Sequence, residues 1–126
     1  MNIENKSSEF TPRELAEEIT KILDSKKARD IKVLRIDDKT VLADYFVICG
    51  GNSNTQVRAI AGEVEEKLEE IGIKPHHIEG YNEAVWTVLD YSSVIVHIFS
   101  REAREFYKLE KLWSDAEDID ISGLLI

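Results

Sequence analysis

The turn Gly50-Gly51-Asn52-Ser53 is the first place where residue types and spacing suggest chemistry. It follows an apolar run typical of a buried strand and precedes a helical pattern, and free N–H groups at such a helix start can bind an anion. The turn is not a P-loop, because no Gly-Lys-Ser/Thr follows, and it lacks the G-x-G-x-x-G of a dinucleotide fingerprint. Glycine-serine turns also precede helices in nucleotidyltransferases, so an enzyme of that type is one hypothesis.

Nucleotidyl transfer requires paired carboxylates on a neighbouring strand, which hold two Mg²⁺ ions. The strands near the turn offer only Asp90. Asp37 and Asp38 are adjacent, so as strand residues their side chains would point to opposite faces. An enzyme using Ser53 and Asp90 with a metal therefore stays the weaker hypothesis, and the sequence predicts no catalytic residue and no cofactor.

The histidines and the cysteine are too few for a metal site. Zinc needs three or four ligands at workable spacing, and the chain has His76, His77, His97 and Cys49, without HExxH or CxxC. We predict no metal, and we expect His97 to be structural or to face a partner. A thiolate pair of Cys49 with His97 is conceivable, but a cysteine in an apolar strand is usually a small core residue.

Trp86 is the aromatic residue with the least certain environment. In the strand pattern Val85-Trp86-Thr87-Val88-Leu89-Asp90, it shares its face with Val88 and Asp90, whereas Leu89 faces the other way. Such a tryptophan is either a core residue or a half-exposed anchor for a protein partner, where truncation often costs about 2 kcal/mol. The pattern alone favours neither. The apolar positions of the last helical segment are predicted to be core: Phe106, Leu109, Leu112 and Trp113.

The elements that position these residues follow from caps and periodicity. Thr11-Pro12-Arg13-Glu14 is a capping box that starts a helix running to about Lys26. Ser53 caps a second helix that ends near Gly72. The remaining pattern predicts strands at 31–36, 42–49, 84–90 and 93–99, the last two as a hairpin, and a final helix capped by Ser100. The order α-β-β-α-β-β-α predicts a single small α/β domain with a mixed sheet flanked by helices.

Length and composition fit one globular domain. The 126 residues are 43% hydrophobic and 33% charged. We expect a flexible leader at 1–10, the folded domain at 11–118 and a short C-terminal tail at 119–126. No apolar run approaches the ~20 residues of a membrane span, and the N-terminus lacks a secretory h-region. One cysteine fits a reducing compartment, so the predicted location is cytoplasmic, without a membrane partner.

The charge of the chain excludes one class of partner. Twenty-five acidic residues against 16 basic ones give a net charge of −9. Broad binding to a phosphate backbone needs a basic field, so the sequence argues against DNA as a partner. An acidic surface would still be steered toward a basic protein, including one on a nucleoprotein particle. The alternative is that the charge only provides solubility.

Three ordered segments resemble signatures of the ribosomal silencing factor family, also called the Iojap family. The first is Asp44-Tyr45-Phe46-Val47-Ile48 with Gly51-Asn52-Ser53-Asn54 and the helix start after it. The second is Glu79-Gly80 with 86–91 and 94–99, and the third is 104–113. The resemblance covers roughly residues 10 to 118. One departure is Ser92-Ser93, where the family usually has Gly-Asp, which alters the hairpin turn and removes one acid.

The resemblance implies a fold related to nucleotidyltransferases but without their catalytic carboxylates. It also implies binding to the large ribosomal subunit through its protein L-fourteen. The chain would thereby block joining of the small subunit by steric hindrance and repress translation under nutrient limitation. The resemblance also implies a homodimer, since isolated family members are often homodimers. An assembly factor for the large subunit is a further alternative.

The contact residues are carried over from the family by position. They are Glu79, Trp86, Leu89, Asp90, Tyr91 and His97. Trp86 and Tyr91 would supply apolar anchor area, while Asp90 and Glu79 would face basic residues of the ribosomal protein. Arg104, Phe106, Tyr107 and Trp113 are expected to be structural and to hold the last helix to the sheet.

Overall fold

The computed structural model describes residues 9–126, and residues 1–8 of the predicted leader lie outside this range. Four α-helices occur there: α1 (Pro12–Ser25), α2 (Asn54–Glu70), α3 (Arg101–Tyr107) and α4 (Leu109–Leu112). The strands are β1 (Arg29–Arg35), β2 (Tyr45–Gly51), β3 (His77–Glu79), β4 (Trp86–Asp90), β5 (Val94–Ser100) and β6 (Glu117–Asp118). A 3₁₀ turn at Ser122–Leu124 follows.

All six strands belong to one mixed sheet in the order β3-β4-β5-β2-β1-β6. Strands β2 and β5 are parallel, and the other neighbours are antiparallel. Every residue of β2 is buried, as expected of a continuous apolar run in the middle of a sheet. The predicted fold class, a small α/β domain with a mixed sheet flanked by helices, is confirmed.

Helices α1 and α2 cover one face of the sheet and form the main core with it. Helix α1 starts at the predicted capping box: Thr11 Oγ1 accepts from Glu14 N at 3.0 Å, and Glu14 Oε1 accepts from Thr11 N at 2.9 Å. The amphipathic pattern then buries Leu15, Ile19 and Leu23 against the sheet. None of the helices within residues 9–126 is long and apolar enough to span a membrane.

Helix α2 begins directly after the glycine turn. Ser53 Oγ accepts from Gln56 N at 3.1 Å, as predicted for the N-cap. In a capping box the side chain of Gln56 would bind the N–H of Ser53. Here Gln56 Oε1 accepts from Asn52 N at 2.5 Å instead, one residue before the cap. A side chain at position 51 would place its Cβ 2.9 Å from Val57 Cγ2, so close packing of β2 against α2 requires Gly51.

The last helical segment differs from the prediction. It is interrupted at Lys108, whose φ of 49° ends α3, and a new turn starts at Leu109. The break changes which residues face the sheet: Leu109 is buried, but Phe106 is 80% exposed and Leu112 is 75% exposed. The prediction that Phe106 and Leu112 are core residues is therefore wrong. Trp113 is half-buried, with its ring edge on Phe46 at a centroid distance of 5.3 Å.

Two short strands and the C-terminal segment were not predicted as ordered elements. Strand β3 pairs with β4, and β6 pairs with β1. After β6, Ile119 is buried and its N–H donates to Val33 O at 2.9 Å. The backbone N–H of Ile126 donates to Asp24 Oδ2 at 2.9 Å, so residues 119–126 return to α1.

Candidate protein-binding surface

Strands β3, β4 and β5 leave part of one sheet face uncovered by helices. The antiparallel register puts Glu79, Val88 and His97 in one row, and Asp90 beside Ile95 in another. Trp86 lies on the same face, because alternate strand residues point the same way. We call this surface the open face; its residues are Glu79, Trp86, Val88, Asp90, Ile95 and His97. Helix α3 packs further along the same side, on β2 and β5.

Trp86 is held in one orientation by contacts on three sides. Its Nε1–H donates to His97 Nδ1 at 3.1 Å. Its ring centroid lies 4.8 Å from that of Phe99 and 4.8 Å from that of Tyr107. The residue remains half-buried. Trp86 therefore presents a rigid aromatic surface, which is what an interface anchor requires.

His97 is the buried hydrogen-bond acceptor of Trp86. Burial lowers its pKa to about 4, so the imidazole is neutral at pH 7. Because Nδ1 accepts the tryptophan N–H, the ring proton is assigned to Nε2. That Nε2 is buried and has no hydrogen-bond partner among residues 9–126. The edge of Phe46 closes the site at a centroid distance of 4.6 Å.

Asp90 and Glu79 place carboxylates at one side of the open face. Asp90 Oδ1 accepts from Ser92 N at 2.8 Å and thereby fixes the β4–β5 turn, in which Ser92 has a φ of 72°. His77 joins the two acids: its Nε2 is 2.8 Å from Glu79 Oε2, and its Nδ1 is 3.9 Å from Asp90 Oδ2. Glu79 is exposed, whereas Asp90 is half-buried.

Leu89 and Tyr91 are not part of this surface. Leu89 is 0% exposed and Tyr91 is 5% exposed, and both belong to the core under the long helices. Burial, followed by the charges of Glu65 and Glu69, raises the pKa of the Tyr91 hydroxyl. The physical reason is strand alternation: with Trp86 and Asp90 outward, odd positions face α2. Of the six residues carried over by position, the structure brings together Glu79, Trp86, Asp90 and His97.

The sequence analysis missed the exposed aromatic residues next to Trp86. The ring of Tyr107 contacts that of Trp86 at a tilt of 47°, and the ring of Phe106 meets that of Tyr107 edge-on at 5.0 Å. With Val85 these residues line an open depression of about 460 Å³. The apolar surface thus continues from the open face onto α3. Adjacent aromatic residues at 106 and 107 cannot both face the core from one helix, so the sequence already indicated that one of them would be exposed.

The structure does not bring together the residues of either catalytic alternative, Cys49 with His97 or Ser53 with Asp90. Cys49 pairs with Ile98 in the β2–β5 register, one position past His97, so its side chain faces the opposite side of the sheet. Burial raises the pKa of its thiol to about 12.

The second catalytic alternative, Ser53 with Asp90, places its two residues far apart. Asp90 is level with Phe46 across β5, and Ser53 follows the end of β2. The five steps along β2 from Phe46 to Gly51 already separate Asp90 from the turn that holds Ser53 by about 17 Å. In the described range, no group of three His, Cys, Asp or Glu residues could hold a metal.

The comparisons with known proteins agree with this architecture. The family model described as "Ribosomal silencing factor during starvation" matches residues 9–125. Ribosomal silencing factor RsfS of Halalkalibacterium halodurans is 39% identical over 113 residues, which cover 90% of this chain and 97% of that protein. The Bacillus subtilis RsfS is 45% identical over 98 residues, or 78% and 83% of the two chains. A crystal structure of a Chromobacterium violaceum protein superposes with a TM-score of 0.81 at 28% identity, covering 90% and 93%.

The fold and the open face define a small mixed α/β domain with an aromatic sheet face that its own helices leave partly uncovered. The chain belongs to the ribosomal silencing factor family. A more distant relative is the mouse protein named mitochondrial assembly of ribosomal large subunit protein 1. It is 31% identical over 99 residues, which cover 76% of this chain and 43% of the mouse protein.

Proposed function

We propose that this protein binds the large ribosomal subunit through ribosomal protein L-fourteen and blocks joining of the small subunit. The block would repress translation, and in this proposal it operates when nutrients are limiting. The action is steric, and no bond is made or broken. The observation that carries the proposal is Trp86, held rigidly and half-exposed on the open face of a chain that belongs to the silencing factor family.

The chemistry of the open face suits a basic protein partner. Trp86, Val88 and Ile95 offer half-buried apolar area at its centre, while Glu79 and Asp90 place negative charge at one side. Interfaces typically combine such an apolar centre with a polar rim. The net charge of −9 adds attraction toward a basic ribosomal protein and repulsion from ribosomal RNA in general. A protein with this role acts in the cytoplasm, where it meets ribosomal subunits.

A subunit-joining assay with one matched pair of variants tests the proposal. Val88→Glu places a charge in the middle of the open face, and Ile71→Glu places the same charge at the end of α2, on the helix-covered side. Purified large subunits are preincubated with each protein, small subunits are added, and the mixture is run on a sucrose gradient. We expect the wild type and Ile71→Glu to comigrate with large subunits and to reduce the joined peak. We expect Val88→Glu to do neither.

The same gradient separates the alternatives. Comigration without loss of the joined peak would favour an assembly factor, the role that the name of the mouse relative suggests. Equal comigration of Val88→Glu and the wild type would refute the open face as the contact. A wild type that stays at the top of the gradient would refute ribosome binding altogether.

We also infer that the free protein forms a homodimer, and that the dimer and the ribosome compete for the open face. A second copy would cover the same half-buried apolar residues that a ribosomal protein would cover. Sedimentation equilibrium of the wild type and Val88→Glu tests this. A dimer that persists unchanged in the variant would show that the two associations use different surfaces.

A further inference from the structure

Three arginine side chains converge beside the glycine turn, on the other side of β5 from Trp86. Arg29 begins β1, and Arg101 and Arg104 lie on α3. Together with the backbone of Gly50 and Gly51 they line a cavity of about 240 Å³. In a chain with a net charge of −9, such a concentration of guanidinium groups is a distinct local feature.

Arg29 and Arg101 share one neutral acceptor. Asn52 Oδ1 accepts from Arg29 Nη1 at 3.0 Å and from Arg101 Nη2 at 3.3 Å. Within residues 9–126, neither guanidinium forms an ion pair with a carboxylate. Two positive groups are thus held together by an amide that cannot neutralise them. Bringing like charges together without a directly paired counter-charge is unfavourable, so the arrangement favours an anion between them.

Arg104 supplies an unused donor at the wall of the same cavity. Its side chain is 13% exposed. Nε donates to Glu110 Oε2 at 2.9 Å and Nη2 donates to Asp30 O at 2.8 Å, which fixes the guanidinium plane. Nη1 is buried and has no acceptor in the described part of the chain. A buried donor without a partner destabilises the fold, and a hydrogen bond to a bound anion would remove that penalty.

Gly50 lies directly beside this donor. A Cβ at position 50 would lie 3.7 Å from Arg104 Nη1 and 3.6 Å from Phe99 O, both ordinary contact distances. An alanine would therefore fit without distortion, but its methyl group would stand against the donor. Packing explains Gly51, as described above, whereas nothing in the packing requires a glycine at position 50.

We propose that this cavity binds a phosphate group, which we call the arginine pocket. Arginine forks match the oxygens of phosphate and form strong charge-assisted hydrogen bonds with them. Asp30 and Glu105 also line the cavity, and Glu110 pairs with Arg104. Arg29 and Arg101 remain without a carboxylate partner among residues 9–126, so these two guanidinium groups are available to an anion. The cavity has a volume below that of sites for whole small molecules, so it takes a phosphate group rather than an entire nucleotide. The phosphate comes either from a free phosphate compound or from an RNA backbone.

Amide chemical shifts during titration with inorganic phosphate, at constant ionic strength, test the proposal. We expect saturable shifts at Gly50, Gly51 and Asn52. Arg101→Gln removes one exposed fork and should weaken binding about tenfold or more. Gly50→Ala should weaken binding without any change of charge. The control Arg13→Gln, which removes the same charge from α1, should titrate as the wild type does.

Further titrations identify the source of the phosphate. Tighter binding of a short single-stranded RNA than of inorganic phosphate, with a steep salt dependence, assigns the pocket to an RNA backbone. Tighter binding of ADP assigns it to a nucleotide phosphate. Shifts that do not saturate, or an Arg101→Gln variant that titrates like the wild type, would overturn the proposal. If Gly50→Ala fails to fold, the comparison of Arg101→Gln with Arg13→Gln decides the question alone. None of these outcomes depends on the open face or on subunit joining.

Discussion

Replacement of Trp86 by alanine separates the role of this residue in folding from its role in binding. The indole makes two ring contacts at 4.8 Å, with Phe99 and Tyr107, and one hydrogen bond to His97. Aromatic pairs contribute about 0.5–1.5 kcal/mol each and a net hydrogen bond contributes about 1 kcal/mol. Because the residue is only half-buried, we expect the free energy of unfolding to fall by about 2–3 kcal/mol. A domain with a stability of about 5–15 kcal/mol would remain folded.

The loss of binding should be distinct from this loss of stability. As a central anchor, Trp86 should contribute about 2 kcal/mol to ribosome affinity, which corresponds to roughly a thirtyfold weaker Kd for Trp86→Ala. Urea denaturation gives the first quantity, and cosedimentation with purified large subunits at several protein concentrations gives the second. Trp86→Phe is the matched control, because it keeps a ring between Phe99 and Tyr107 but loses the hydrogen bond to His97 and part of the ring area.

Two results would refute this reasoning. A folded Trp86→Ala variant with wild-type affinity would show that the indole is not an anchor. A stability loss well beyond 3 kcal/mol would show that Trp86 acts as a fully buried core residue. We expect Trp86→Phe to lose about 1 kcal/mol of stability and less affinity than Trp86→Ala.

Two further predictions follow from burial. Phe106→Ala should change the free energy of unfolding in urea by about 0.5 kcal/mol or less, because the ring is exposed; a loss near 3 kcal/mol would place it in the core. Burial lowers the pKa of His97 from 6.5 to about 4, so between these values the unfolded chain binds a proton that the folded protein does not. Stability should therefore fall as the pH falls from about 6.5 to 4, by about 3 kcal/mol. Denaturation at pH 7 and pH 5 checks this, and a His97→Gln variant with an equally steep pH dependence would contradict it.

The elements with local signals were predictable from the sequence. The capping box at Thr11 and Glu14 satisfies backbone groups within one turn, so a short motif suffices to place the start of α1. The continuous apolar run of β2 predicted a strand buried on both faces, and all residues of β2 are buried. Strands β3 and β6 have three and two residues, too few for a periodic pattern, and they are defined only by their pairing with β4 and β1. No local pattern could have indicated them.

For the candidate contact residues, the sequence did not suffice to predict which side chains reach the surface. Strand alternation already placed Leu89 opposite Trp86, but positions carried over from a family do not state which face a side chain takes. The break at Lys108 had no sequence signal, since a left-handed helix end is usually a glycine or an asparagine. A continuous helix was therefore expected, and Phe106 was assigned to the core. The arginine pocket was also out of reach, because it joins Arg29 to two residues more than 70 positions later.

The parallel pairing of β2 with β5 has a consequence for how the chain folds during its own synthesis. Phe46 pairs with Ile95, a separation of 49 residues, so the most apolar strand of the sheet waits for a partner that is made much later. At about 5–20 residues per second, that delay is roughly 2 to 10 seconds on a translating ribosome. During this interval, a hairpin of β1 and β2 would carry an unpaired apolar edge, which is a template for aggregation. The middle of the sheet can close only after β5 has emerged, so high contact order makes this a slowly folding domain for its size.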